Sequence, residues 1–119
     1  AAQLYEQSLP PEIQFIPVTE DGSRGKKGMA TDMLPDFLDW ADQIYACGPI
    51  SMYKTMANML ATSRERSNLK CQISLEVRMG CGIGACYGCT INTKRGLKQV
   101  CHDGPVFELD DILWEEVRI

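Results

Sequence analysis

The sequence predicts an α/β chain, made of part of a Rossmann-like parallel sheet followed by a small metal-cluster module with short antiparallel strands. Three observations predict it. Strand-like and helix-like apolar patterns alternate through the first two thirds of the chain, which points to parallel strands joined by crossover helices. Near residue 80 the composition shifts to glycine and cysteine, and two short strand patterns follow, joined by Lys94-Arg95-Gly96. The division is therefore expected at 77/78, with 1–77 and 78–119 as the two parts. At 119 residues, 45% apolar and 24% charged, the chain has an ordinary globular profile and the size of one modest domain.

In chain order, Leu4 to Leu9 reads as the tail of a helix. The chain opens Ala1-Ala2-Gln3 without methionine, as expected of a piece of a longer protein. Ile13, Phe15, Ile16 and Val18 predict a buried strand between Pro11 and the Asp21–Gly25 cluster, with Pro17 marking an edge or an end. The loop 21–28 carries Arg24, Lys26 and Lys27 among three glycines, but lacks the G-x-G-x-x-G fingerprint, so a solvated turn competes with a phosphate contact. Thr31 is placed to cap a helix in which Leu34, Phe37, Leu38 and Ala41 recur on one face, with Pro35 tolerated only in its first turn. Gln43–Cys47 predicts a second strand, closed by Gly48-Pro49. Ser51 then caps a helix with Met52, Met56, Met59 and Leu60 on its inner face. The alternation Cys71, Ile73, Leu75, Val77 predicts a third parallel strand, and Cys89–Thr93 with Leu97–Cys101 predicts the antiparallel pair. The acid-rich end, with Asp103, Glu108, Asp110, Asp111, Glu115 and Glu116, reads as a solvated tail or helix face.

Charge and hydropathy remove several function classes. Twelve basic against sixteen acidic residues leave a net charge of −4, the wrong sign for a nucleic-acid-binding domain. No apolar stretch approaches the length that spans a bilayer, and no basic flank followed by an apolar run marks an export signal, so no membrane is expected and the cytoplasm is. Six cysteines, unevenly placed, are too few for a disulfide scaffold and point to a metal.

Cys81, Cys86 and Cys89 form C-x4-C-x2-C, and Cys101 follows after eleven intervening residues. That is the spacing of plant-type 2Fe-2S sites. Such a cluster with four thiolates is anionic and becomes more so on reduction, so it needs donors around its sulfurs. Gly82, Gly84 and Gly88 suit a loop that turns backbone N–H groups inwards, because glycine accepts positive φ and has no Cβ in the way. Structural zinc is the plainer metal reading, but it more often uses two C-x2-C pairs. A disulfide within the loop is disfavoured where thiols are kept reduced. His102 adjoins Cys101, yet a Rieske centre needs two histidines and the chain has one. Of the remaining cysteines, Cys71 reads as core. Cys47, at the end of a strand before Gly48-Pro49, either packs or lines a ligand site of the kind open α/β sheets form there.

Two sets of residues carry a family resemblance. Thr19-Glu-Asp-Gly-Ser23, Lys27-Gly28, Thr31-Asp32 and Ile44-Tyr-Ala-Cys-Gly-Pro49 with Met52 resemble the second half of the pyridine-nucleotide domain of the ferredoxin-reductase superfamily. Ile73-Ser-Leu-Glu76, Arg78 to Cys89, Val100-Cys101 and Asp103-Gly-Pro-Val-Phe107 resemble the electron-transfer subunits of bacterial NAD-linked dihydroorotate dehydrogenases. The resemblance covers nearly all of the chain. It implies a 2Fe-2S cluster on Cys81, Cys86, Cys89 and Cys101, and a cofactor-binding turn at Cys47, Gly48 and Pro49, with Cys47 near the nicotinamide ring. It also implies an FMN-containing catalytic subunit as partner, in pyrimidine biosynthesis, with electrons passing from dihydroorotate through FMN, the cluster and FAD to NAD+. FAD and NAD are expected only in a full-length subunit, because the family's flavin barrel and phosphate loop do not occur in these residues. The chain alone is expected to turn over little and, with an uncovered sheet edge, to form homodimers. Small subunits of sulfide dehydrogenase or ferredoxin-NADP oxidoreductase are the nearest alternatives, and a zinc-stabilised interaction module the alternative from another class.

Overall fold

The computed structural model describes residues 8–62 and 69–117. Most of the helix tail read at Leu4 to Leu9 lies outside them. The chain divides into two compact units, 1–39 and 40–119.

In the first unit β1 (Val18–Thr19) pairs in parallel with β2 (Lys26–Lys27) in a two-stranded sheet of its own. The expected buried strand through Ile13 is not formed. Ile13 closes a turn by donating its N–H to Pro10 O and is half exposed. Pro17 has no N–H to give a sheet, and its carbonyl instead accepts Lys26 N–H at 3.0 Å, so the segment satisfies itself within its own loop. The expected parallel sheet therefore has two parallel strands among the described residues, and its third strand is antiparallel. The helix read from Thr31 is also shorter. A 3-10 turn, Ala30–Met33, leads into the single turn α1 (Pro35–Leu38), with Pro35 at its start. Met29 and not Thr31 precedes the first turn, and its N–H is held by Asp32 Oδ2 at 2.8 Å.

The second unit is built on β3 (Gln43–Cys47), α2 (Ile50–Thr62) and β4 (Lys70–Ser74), the two strands pairing in parallel from Gln43↔Lys70 to Cys47↔Ser74. The order strand, helix, parallel strand is as the sequence predicts, but β4 stops at Ser74 short of Leu75 and Val77, Ser51 lies inside α2 and does not cap it, and Tyr53 joins Met56 as the buried centre of the helix face while Met52 and Met59 are partly exposed. The hairpin of β5 (Thr90–Thr93) and β6 (Gly96–Gln99) turns on Lys94-Arg95, with Thr93 paired to Gly96. The expected strand through Cys101 ends early. Asp103 Oδ2 accepts Gln99 N–H at 2.7 Å, and the chain winds into the single turn α3 (Val100–Asp103).

The acid-rich end is not a solvated tail. β7 (Val106–Glu108) pairs antiparallel with β4, giving the sheet order β3-β4-β7, and the following turn buries Leu109 and Ile112. Its acids find partners: Glu108 accepts Gln72 Nε2–H at 2.7 Å, Asp111 lies 3.0 Å from Arg95, and Glu116 accepts Asn92 Nδ2–H at 2.7 Å. Trp114 Nε1–H caps Leu109 O at 3.0 Å while its ring lies 5.9 Å from that of Tyr53. One apolar core thus runs from Tyr53 and Ile73 through Leu75 to Val100 and Leu109, and β7 crosses the 77/78 division drawn from composition. Every acid on this segment is visible in the sequence, but pairing with the edge of β4 and burial of Leu109 and Ile112 make it a strand and a packed turn.

Candidate metal centre

The loop between β4 and β5 carries three of the four spaced cysteines and α3 the fourth, so the metal site hangs on the two ends of the hairpin. Its backbone is turned inwards as its composition suggests. Gly82 and Gly84 adopt φ of +70° and +80°. Gly88 does not; the third left-handed position is Tyr87, at φ +58°. Tyr87 is held there by its carbonyl, which accepts both Thr90 N–H at 3.2 Å and Thr90 Oγ1–H at 2.7 Å.

These turns aim amide groups at sulfur. Ala85 and Cys86 donate N–H to Cys81 Sγ at 3.3 and 3.4 Å, Gly88 donates to Cys86 Sγ at 3.4 Å, and Cys101 donates to Cys89 Sγ at 3.4 Å. The thiols respond as electrostatics requires. Backbone N–H groups of Ile83, then Cys86 and Ala85, pull the Cys81 thiol down to about 6, so it is largely thiolate at neutral pH. The Cys89 thiol is lowered, first by the N–H of Cys101. Cys101 is raised, because it shares a hydrogen bond with the Cys89 sulfur, while the N–H of Gly84 works the other way. Two linked pairs result, Cys81 with Cys86 and Cys89 with Cys101. The charge of Cys81 also contributes, least of the causes, to raising Cys101. Among the described residues, no three side chains of the metal-binding types converge on a single ion.

Cys71 takes no part. It is buried in β4, and burial, then Asp110 and Glu108, push its thiol up to about 11, as befits a core residue. The other predicted site, Cys47-Gly48-Pro49, lies at the end of β3 with Cys47 exposed. Its geometry is fixed by a residue that spacing did not single out. Gly48 N–H donates to Tyr53 Oη at 2.8 Å, and Tyr53 Oη–H donates to Ser74 O at 2.7 Å, so one buried hydroxyl ties the turn to the end of β4. The signal for it was present, since Tyr53 sits among methionines on the inner face of α2. The glycine loop 21–28 is poorly suited to phosphate: the open hollow of about 540 Å³ beside it is lined by Glu20 and Asp21, and Lys26 lies 3.9 Å from Asp36. Against a chain edge of carboxylates a phosphate would meet like charge.

Comparison with known proteins places these features among relatives. Residues 76–113 match the family described as the iron-sulfur cluster binding domain of dihydroorotate dehydrogenase B. The chain is 38% identical over 105 residues to the electron transfer subunit of dihydroorotate dehydrogenase B (NAD+) of Caldanaerobacter subterraneus, an overlap of 85% of this chain and 41% of that protein. To the corresponding subunit of Listeria monocytogenes it is 43% identical over 112 residues, 91% of this chain and 41% of the relative. The chain thus spans about two fifths of the length of these relatives. A solved structure of an NADH-dependent reduced ferredoxin-NADP oxidoreductase, described in the context of flavin-based electron bifurcation, contains a chain that superimposes with a TM-score of 0.67 at 31% identity, covering 81% of this chain and 34% of that one.

Proposed function

We propose that this chain, similar over about nine tenths of its length to electron transfer subunits of dihydroorotate dehydrogenase B, carries the iron-sulfur part of such a subunit. The observation that carries the reading is the amide-lined pair of cysteine pairs inside the matched segment. Cys81 and Cys86 would hold one iron and Cys89 and Cys101 the other of a 2Fe-2S cluster. Such a cluster supplies one-electron transfer between two-electron carriers, from FMN on a dihydroorotate-oxidising partner towards FAD and NAD+ in pyrimidine biosynthesis. The chain's own part is to bind and to insulate. Its N–H donors offset thiolate charge. Met79, Ile83 and Tyr87, all well exposed along the cysteine loop, give an apolar rim that suits docking of the catalytic subunit and exclusion of water from the junction.

Residues 1–77 correspond to the second half of a Rossmann-like nucleotide domain and 78–119 to the cluster module. The turn Cys47-Gly48-Pro49, at the carboxyl end of the parallel strands, faces the nicotinamide of NAD in the complete subunit. FAD is bound by parts of that subunit outside these residues, and the assembly is cytoplasmic; no helix among the described residues is long and apolar enough to cross a membrane.

Anaerobic reconstitution tests the proposal. Two irons and two sulfides per chain, with a paramagnetic signal after one-electron reduction, are expected. Stoichiometric zinc with no iron uptake would overturn it. The 31% identity to a chain of the ferredoxin-NADP oxidoreductase structure favours one second reading, a small subunit of that kind of enzyme. The two part on the partner: reduction of the holoprotein by dihydroorotate through an FMN-containing subunit is expected of the first alone.

A further inference from the structure

Gln99 is the last residue of β6 and forms no part of the cysteine spacing, yet its side chain reaches back across fifteen positions into the cysteine loop. Gln99 Nε2–H donates to Gly84 O at 2.8 Å. In a trans peptide unit the carbonyl of one residue and the N–H of the next point in opposite directions. With the Gly84 carbonyl held towards Gln99, the Ala85 N–H is aimed the other way, and it donates to Cys81 Sγ at 3.3 Å. Gln99 is itself held. Its own N–H donates to Asp103 Oδ2 at 2.7 Å, its side chain is partly buried, and a Cβ on Gly84 would come within 3.1 Å of its Oε1.

We propose that Gln99 is a positioning residue that acts through the Gly84-Ala85 peptide on the Cys81 sulfur, raising the reduction potential of the cluster and slowing its release. The inference rests on the reading of the four cysteines as 2Fe-2S ligands. A donor on the amide oxygen polarises the whole amide and strengthens its N–H as a donor in turn. An N–H aimed at a ligand sulfur favours the state with more negative charge, which is the reduced one, and hydrogen bonds to sulfur are among the determinants of these potentials. Without Gln99, the Gly84 carbonyl loses the donor that orients this peptide, and the loop loses one of its ties to the hairpin.

The test compares iron-loaded wild-type holoprotein with Gln99→Leu, which removes the donor at similar size, and Gln99→Glu, which sets an acceptor against the Gly84 carbonyl. Both leave the backbone bond to Asp103 in place. EPR-monitored redox titration should find the Leu variant up to tenfold harder to reduce, a potential more negative by as much as about 59 mV for one electron. The Glu variant should lie lower still. Visible absorbance should decay several-fold faster in excess chelator for both. Wild-type potential and wild-type chelator lifetime in both variants, at full iron content, would overturn the proposal while leaving the cluster assignment intact. A wild-type protein that takes up neither iron nor sulfide would overturn the assignment itself, and this inference with it.

Discussion

At the scale of single residues, the six cysteines separate by environment. Cys101 stands in the amide-linked set and Cys71 in the core, so Cys101→Ser should abolish most of the visible absorbance of the holoprotein while Cys71→Ser retains it. The second variant should instead lose about 1–3 kcal/mol of stability, from a buried hydroxyl set in an apolar site. Equal loss of colour in both would refute the ligand set. Reactivity gives an independent readout. With the Cys81 thiol held at about 6 and that of Cys71 at about 11, iodoacetamide at pH 8 should label Cys81 of metal-free protein well before Cys71, as read by peptide mass spectrometry. Gly84→Ala should also weaken iron retention, because φ is +80° there and an added Cβ meets Gln99 Oε1 and the His102 Cβ.

At the scale of elements, two contacts hold the second unit in the form that presents its sites. The Tyr53 hydroxyl bridges the turn after β3 and the end of β4, and Tyr53→Phe leaves the Gly48 N–H and the Ser74 carbonyl without that partner. A loss of about 1–3 kcal/mol in denaturant unfolding is expected, with the iron site spectroscopically unchanged. The acid-rich end is the second such contact. Leu109 is 1% exposed and lies in the turn that packs on β4 and α2, so Leu109→Ala should cost about 2–5 kcal/mol. A solvated tail would tolerate the change, and an unshifted melting temperature would restore that reading.

For the whole molecule, metal binding and folding are linked, since ligands converge only in the folded chain. The hairpin β5–β6 is anchored by Ile91 and Val100 in the core, whereas the cysteine loop before it lies outside the ladders. Loss of metal should therefore raise amide hydrogen exchange first in residues 80–89, ahead of the hairpin. Uniform protection in the two states would show that the loop does not depend on its metal. β3 is an outer strand of its sheet among the described residues, with Tyr45 three-quarters exposed on it, and the edge of such a strand can pair with a second copy. Light scattering after size-exclusion chromatography should find a dimer of the isolated chain, which Tyr45→Lys shifts towards monomer; a strict monomer at high concentration would remove the homodimer.

The sequence by itself determined the four-cysteine spacing, the strand Gln43–Cys47 to its last residue, the crossover to the strand that contains Cys71, and the basic hairpin turn. These are local patterns: a ligand spacing, a period of two, a loop chemistry. Only tertiary structure decided the rest. Whether Ile13 to Val18 joined the main sheet depended on where neighbouring carbonyls lay, and whether Val106–Glu108 was tail or strand depended on a free edge of β4, some thirty residues away in the chain. The bond from Gln99 to the Gly84 carbonyl and the pairing of β7 with β4 are likewise relations between distant residues. Composition cannot encode them, because a hydrogen bond across fifteen positions leaves no period in the sequence and exists only once the chain has closed on itself.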